Sequence, residues 1–135
     1  MPSRCKQRRR TSTSTTQTGQ AGEEAAARYL EQQGWRILAR NCRLPGGEID
    51  IIAQDGGCLV FVEVKTRRNS RFGSPFEAVD SRKQQRLTEA ASAYISKHNL
   101  DMAARFDVAA VFPEKSSFRV ELLRNAFDCG ESEEG

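Results

Sequence analysis

The sequence has little of what marks several common classes of protein. It carries one histidine and four cysteines in 135 residues, and no two cysteines stand at the short spacing of a zinc site or a redox dithiol. No run of 18 apolar residues occurs, and the basic start lacks the apolar stretch of a signal peptide. We therefore expect reduced cysteines and a cytoplasmic protein that does not interact with a membrane.

Strong charge of one sign is also absent from the centre of the chain. The formal net charge is +3, but the first 18 residues carry +5 and the last eight carry −4. Between these ends, 16 basic side chains stand against 14 acidic ones. A near-neutral centre gives little general attraction for nucleic acid, so any such interaction must depend on where individual charges lie.

What the chain does have is ordinary globular composition, with 38% hydrophobic and 29% charged residues, in a length that suits one domain. Residues 1–18 are basic and rich in Ser and Thr, without apolar periodicity, and they are predicted to form a disordered tail. Residues 128–135 are predicted to form an acidic disordered tail. The folded domain is therefore predicted to span residues 19–127.

Hydrophobic periodicity predicts two helices and five strands. A first helix is predicted from Gly19 to Gln33, ended by Gly34. A capping pattern at residues 74–77, repeated from Ser81, predicts a second helix. Strands are predicted at residues 35–41, 48–54, 58–67, 105–112 and 118–123. The order αβββαββ predicts an α/β fold with a mixed central sheet flanked by helices.

Two charged residues follow an apolar run on the third predicted strand. Leu59 and Phe61 lie on one face of this strand, and Glu63 and Lys65 continue that face. The strand is apolar on both faces at its start, which is typical of the interior of a sheet. A buried charge needs a partner, so we expect a specific reason for Glu63 and Lys65.

The preceding strand supplies acidic partners across the turn at residues 55–57. With Gly56-Gly57 as the loop, Asp50 lies opposite Glu63, and with Asp55-Gly56 as the loop, Glu48 does. Ile49 and Ile51 are predicted to take the other face. Either register places Glu48, Asp50, Glu63 and Lys65 on one face, where the carboxylates converge, whereas a three-residue loop does not.

Two close carboxylates on a half-buried face repel each other unless they share a proton or a divalent cation. Oxygen ligands favour Mg²⁺, with Mn²⁺ as a second candidate, because such sites hold the ion by one or two carboxylates and the substrate phosphate. Lys65 could then stabilise charge at phosphorus or help to deprotonate the attacking water. This set predicts phosphodiester hydrolysis, although an ordinary hairpin with solvated ion pairs explains the same spacing.

Several short motifs stand in one order along the chain. They are Gly22-Glu23, Tyr29-Leu30, Asn41, Gly47-Glu48-Ile49-Asp50, Val60-Phe61-Val62-Glu63-Val64-Lys65, Phe72-Gly73, Pro75, Glu77-Ala78-Val79 and Arg105-Phe106-Asp107-Val108. Over about residues 19–127 they resemble the bacterial YraN family of endonuclease-like proteins. That family is similar to the PD-(D/E)XK nucleases, particularly archaeal Holliday-junction resolvases, and the resemblance implies a restriction-endonuclease-like fold.

The resemblance also implies roles for individual residues. The implied catalytic residues are Glu23, Asp50, Glu63 and Lys65. Asp50 and Glu63 are the implied metal ligands, with the carbonyl of Val64 as a further ligand. No proline precedes Asp50, and Glu48 leaves open which acid on that strand meets the metal. Glu23 has a second explanation, since an acid in the first turn stabilises a helix through its macrodipole.

Basic residues near these acids are candidates for contacts with nucleic-acid phosphates. One group follows Lys65 directly and consists of Arg67, Arg68 and Arg71. A second group lies in the first turns of the second helix, where the helix dipole disfavours cations, and consists of Arg82, Lys83 and Arg86. Solvated surface positions explain the second group equally well.

The residues and the resemblance together predict a Mg²⁺-dependent nuclease-like protein acting on DNA, branched DNA included. The similar resolvases imply a homodimer, because junction resolution needs two paired active sites. The alternative is a nucleic-acid-binding accessory protein with the same fold and little or no turnover. RNA is a third candidate substrate, because metal-assisted hydrolysis suits both backbones.

Overall fold

A computed structural model describes residues 14–67 and 81–127, which form two helices and five strands. The order is αβββαββ, which confirms the predicted α/β class and element order. The elements are α1 (Ser14–Gln32), β1 (Arg36–Leu44), β2 (Gly47–Asp55), β3 (Cys58–Thr66), α2 (Ser81–Lys97), β4 (Ala103–Glu114) and β5 (Ser117–Phe127).

The five strands form one mixed sheet in the order β1-β2-β3-β4-β5. Neighbouring strands are antiparallel except β3 and β4, which run parallel. Parallel neighbours need a long crossover connection, and α2 lies in the connection between these two strands. The architecture is consistent with a restriction-endonuclease-like fold.

The helices cover opposite faces of the sheet and create two hydrophobic clusters. The cluster beneath α1 includes Ala26, Leu30, Val60 and Val62. The cluster beneath α2 includes Leu59, Phe61, Leu87, Ala90 and Tyr94. The strand β3 is therefore buried on both faces, as its continuous apolar run predicts, and charged residues at its end leave a closely packed core.

The first helix begins earlier than predicted, whereas the second begins at one of its two predicted capping patterns. α1 begins at Ser14 rather than Gly19, so it includes five residues that the sequence assigned to the basic tail. Ser and Thr are common residue types at helix N-termini as well as in flexible segments, so composition alone did not distinguish the two. α2 begins at Ser81, as the second capping pattern predicts, whereas the first pattern at residues 74–77 lies outside the described residues. Within the described ranges, neither helix is long and apolar enough to cross a membrane.

One cysteine differs from its predicted state. Cys42 is fully buried on β1 and is disulfide-bonded, so the expectation of reduced cysteines is wrong at this position. The spacing of the cysteines argues against a zinc site or a redox dithiol, but spacing does not exclude a disulfide between cysteines far apart in the sequence. Cys58 is a free thiol, as predicted.

Candidate functional site

The hairpin of β2 and β3 has the first of the two predicted registers. Asp55 pairs with Cys58 and Ile51 with Val62, so Gly56 and Gly57 form the loop. Gly56 has a φ of 61°, in the left-handed region that favours glycine. Ile51 and Val62 are the last pair of this ladder, and Asp50 and Glu63 follow directly at the far end of the hairpin.

Asp50 is attached to β3 by its side chain. The Val64 amide donates a hydrogen bond of 2.9 Å to Oδ2 of Asp50. The carboxylate is thus held beside the end of β3, where Glu63, Val64 and Lys65 follow one another. In an extended strand the N–H and C=O groups of one residue point to the same side, so the Val64 carbonyl is expected on the side of β3 where its amide meets Asp50.

The regular alternation of β2 breaks at Asp50. Ile49 and Ile52 both belong to the cluster beneath α2, whereas Ile51 belongs to the cluster beneath α1. The prediction that Ile49 and Ile51 share a face is therefore wrong. The neighbouring strand is irregular at the same place, since Asn41 lies between the residues paired with Ile49 and Ile51 and has a left-handed φ of 50°.

Glu63 is a buried carboxylate with two cationic partners. Its side chain is 8% exposed, and Oε2 lies 3.4 Å from Nζ of Lys65 and 3.0 Å from Nζ of Lys83. Lys65 belongs to β3 and Lys83 to the first turn of α2. The buried charge that the sequence singled out is therefore paired from two separate elements.

Asp50 has an electrostatic environment that opposes its negative charge. Burial raises its pKa to about 7, and the nearby charges of Glu63 and Glu23 act in the same direction. The hydrogen bond from the Val64 amide and the charge of Lys83 oppose this increase and do not outweigh it. Additional positive charge beside Asp50 would stabilise its ionised form.

Glu23 reaches the site from α1. The Nδ2 of Asn41 donates a hydrogen bond of 3.0 Å to Oε1 of Glu23, and Nη2 of Arg40 lies 3.9 Å from the same oxygen. The adjacent Gly22 allows this approach, since a Cβ at that position would overlap Oγ1 of Thr66 at the end of β3. The helix acid that the resemblance implies is therefore brought close to Asp50.

The remaining predicted residues lie at varied distances from this centre. Glu48 stands opposite Arg43 in the β1–β2 ladder, two residues before Asp50 on the same strand. Arg67 is half-buried, and its amide donates a hydrogen bond to the carbonyl of Val111. Arg82 and Arg86 are exposed on α2, whereas Arg68 and Arg71 lie outside the described residues.

The donor set suits a metal that keeps water and shares its coordination with a substrate. Among the described residues, no group of three or more His, Cys, Asp or Glu side chains is arranged to hold a metal ion. Asp50 and Glu63 with the Val64 carbonyl supply oxygen atoms only, and Mg²⁺ is commonly held by one or two carboxylates together with phosphate and water. The residues present fit Mg²⁺ of this kind and do not form a closed protein cage.

Sequence reasoning missed two features of the site. The role of Asn41 in orienting Glu23 was not predicted, although Asn is enriched in left-handed conformations and could have marked an irregular strand. The contact of Lys83 with Glu63 was also missed, because it depends on how α2 packs across the sheet.

Comparison with known proteins assigns the family. The model of the family described as "Uncharacterised protein family UPF0102" matches residues 22–111. The chain belongs to the UPF0102 family. This is the YraN family that the sequence motifs indicated, so the resemblance is confirmed. The matched range includes Glu23, Asp50, Glu63 and Lys65, the four residues with implied catalytic roles.

Relatives of this UPF0102 chain are similar over most of their length. A UPF0102 protein of Symbiobacterium thermophilum is 53% identical over 111 residues, which cover 81% of this chain and 94% of the relative. One from Syntrophus aciditrophicus is 47% identical over 117 residues, covering 86% and 92% respectively. One from Geobacter sulfurreducens is 47% identical over 112 residues, covering 82% and 88%. Membership in UPF0102 does not by itself identify an activity.

Proposed function

We propose that this protein is a metal-dependent nuclease that hydrolyses the phosphodiester backbone of DNA. The observation that carries the proposal is the convergence of Asp50, Glu63 and Lys65 at one end of the β2–β3 hairpin. Asp50 is fixed there by the Val64 amide, and Glu63 contacts Lys65. Two carboxylates and a lysine at the buried end of a hairpin supply both metal ligands and a cation for phosphate.

The metal in this proposal is Mg²⁺, with Mn²⁺ as a substitute. Asp50 and Glu63 would hold it with the carbonyl of Val64, and when bound it would neutralise phosphate charge and lower the pKa of a water molecule. The raised pKa of Asp50 supports this assignment, since burial and Glu63 leave its negative charge poorly compensated. The negative charge of Glu23 also raises the pKa of Asp50 and so adds to the need for a cation there.

In this proposal Lys65 is the cation that meets the scissile phosphate. It is two residues from Glu63 on the same strand, and its side chain is 20% exposed, so its ammonium group can reach a ligand from solvent. A lysine donates up to three hydrogen bonds and would stabilise the charge that develops on phosphate oxygens.

The substrate in this proposal is DNA in the cytoplasm, with branched DNA as the preferred form. Arg67, Arg82 and Arg86 are the described candidates for contacts with the sugar-phosphate backbone, together with Arg68 and Arg71. A homodimer follows from branched DNA, because cutting two strands of a junction requires two sites related by symmetry.

The experiment is a cleavage assay on labelled duplex, single-stranded and four-way-junction DNA, and on RNA of the same sequence, with Mg²⁺ or Mn²⁺. The wild type is compared with Asp50→Ala and Lys65→Ala. Cleavage by the wild type alone supports the nuclease, and the ranking of substrates identifies the preferred form. Equal inactivity of all three proteins, with intact DNA binding, contradicts it.

A second candidate function is a DNA-binding accessory protein without turnover. The observation that favours it is the ion pairing of Glu63 with both Lys65 and Lys83, which compensates this carboxylate without a metal. In that case DNA binding weakens steeply with salt and does not change on replacement of Asp50, because phosphate contacts alone carry it.

A further inference from the structure

We infer that Lys83 is a positioning residue of this site, which holds Glu63 in place while Lys65 contacts the scissile phosphate. The inference rests on the proposed nuclease function and concerns the same site. The sequence alone placed Lys83 among the candidate phosphate contacts on α2, together with Arg82 and Arg86. Its position in the structure assigns it a different partner.

The two lysines bind the same oxygen of Glu63. Nζ of Lys83 lies 3.0 Å from Oε2, and Nζ of Lys65 lies 3.4 Å from it. Lys83 is therefore the nearer of the two cations. The Glu63 side chain is only 8% exposed, so water contributes little to stabilising its charge and the lysines must do so.

This arrangement matters because Lys65 carries a single positive charge, so it compensates Glu63 less when it also contacts a phosphate. If Lys65 moves to a phosphate, it leaves a buried carboxylate that must keep its charge and its orientation to remain a metal ligand. Lys83 supplies a partner from α2, so its contact with Glu63 does not depend on where the Lys65 side chain lies. A ligand held by a hydrogen-bonding partner outside the metal's own coordination is oriented more precisely.

The location of Lys83 on its helix supports a dedicated contact. It lies in the first turn of α2, which begins at Ser81, and the helix dipole disfavours a cation there. The neighbouring Arg82 and Arg86 point into solvent and are exposed, whereas Lys83 is partly buried against the sheet. The ion pair with the buried Glu63 offsets the unfavourable interaction of the Lys83 charge with the helix dipole.

The test compares steady-state cleavage by wild type, Lys83→Met and Lys83→Arg at saturating Mg²⁺. Lys83→Met keeps most of the apolar stem and removes the charge, whereas Lys83→Arg keeps the charge. The matched control is Lys97→Met, which removes a lysine from the exposed last turn of the same helix. Thermal unfolding of each variant establishes that it is folded, and Lys83→Gln is a second charge-removing variant.

We expect Lys83→Met to lower kcat by about 10- to 100-fold, the loss that follows when a catalytic group is displaced by about 1 Å. KM for DNA should stay within about twofold, since DNA does not contact a lysine that binds Glu63. Lys83→Arg should recover most of the lost kcat, and Lys97→Met should match the wild type.

Other outcomes overturn the inference in distinguishable ways. A raised KM with unchanged kcat in Lys83→Met makes Lys83 a phosphate contact, as the sequence suggested. Unchanged kcat and KM make the ion pair a surface contact without a role in the reaction. A wild type that cleaves nothing with Mg²⁺ or Mn²⁺ overturns the proposed nuclease itself, and the inference falls with it.

Discussion

The Val64 amide donates a hydrogen bond of 2.9 Å to the Asp50 carboxylate, which joins the end of β3 to the acid on β2. The bond fixes the carboxylate at the buried end of the hairpin, yet the pKa of Asp50 is raised to about 7 by burial and by Glu63. Asp50 is thus held in place without full compensation of its charge. This combination leads to predictions about pH and metal that do not require any catalytic activity.

The stability of the metal-free protein should depend on the ionisation of Asp50. The pKa of about 7 in the folded state lies above the ordinary value of 3.8, so between these values the folded protein keeps a proton that the unfolded chain has lost. The contribution of protonated Asp50 to the free energy of unfolding is therefore fully present below about pH 4. It falls as pH rises towards 7 and is lost above that pH. The full change in the pKa of Asp50 corresponds to at most about 4 kcal/mol in the free energy of unfolding.

The measurement is urea unfolding of wild type and Asp50→Asn between pH 4.5 and 8 with a chelator present. The free energy of unfolding of Asp50→Asn, relative to wild type, should increase as pH rises, since the amide cannot ionise. Asp101→Asn, at an exposed position, serves as the control. A difference between wild type and Asp50→Asn that stays constant with pH contradicts the account.

Mg²⁺ should stabilise the folded protein through Asp50. At pH 8, a concentration ten times the dissociation constant should raise the free energy of unfolding by about 1.4 kcal/mol, because the ion binds only the folded site. The increase should disappear in Asp50→Asn and persist in Asp101→Asn. Thermal or urea unfolding with and without Mg²⁺ measures it, and equal stabilisation of all three proteins places the ion elsewhere.

Asn41 should stabilise the folded protein both through its left-handed backbone and through its hydrogen bond to Glu23. At a φ of 50°, alanine costs about 1 kcal/mol more than glycine, so Asn41→Ala should be less stable than Asn41→Gly by about that amount. Asn41→Gly should still lose about 1 kcal/mol relative to wild type, because the hydrogen bond to Glu23 is absent.

Asn99 provides the matched control for this prediction. It has a φ of 52° just beyond α2, so the glycine and alanine variants should differ there by a similar amount. The variants at Asn41 should also lower cleavage and those at Asn99 should not, since Asn41 contacts Glu23. Equal stability of Asn41→Ala and Asn41→Gly in urea unfolding contradicts the assigned backbone role.

Gly22 and Thr66 should be energetically coupled. Gly22→Ala introduces a Cβ that meets Oγ1 of Thr66, so the variant should be destabilised despite the higher helix propensity of alanine. In a Thr66→Ala background this oxygen is gone, and Gly22→Ala should then stabilise the protein by up to about 1 kcal/mol. A double-mutant cycle measured by urea unfolding tests the change of sign, and additive effects contradict a close approach of α1 to β3.

The sequence was sufficient to predict the β2–β3 hairpin and to include its Gly56-Gly57 loop among the alternatives. Strand residues alternate with a period of two, and a Gly-Gly loop allows few registers, so local rules reduced the choice to two and the structure has one of them. The burial of β3 on both faces was predicted for the same reason, since it follows from the composition of a single strand.

Features that depend on contacts between distant elements were not predictable in this way. The face of Ile49 departs from the regular alternation of β2 beside the left-handed Asn41 of the neighbouring strand, and a pattern within β2 does not show this irregularity. The contact of Lys83 with Glu63 depends on the packing of α2. The start of α1 at Ser14 was missed because Ser and Thr are typical both of flexible segments and of helix N-termini.

The central claim is that Asp50 and Lys65 form a metal-dependent site for cleaving a DNA backbone. Its most direct test is single-turnover cleavage of labelled DNA in Mg²⁺ by wild type, Asp50→Asn, Lys65→Met and the control Asp101→Asn, all purified identically. The account predicts cleavage by wild type and Asp101→Asn, with the rate lowered by about 100-fold or more in the other two. Equal rates in all four proteins, or cleavage by none of them, would contradict it.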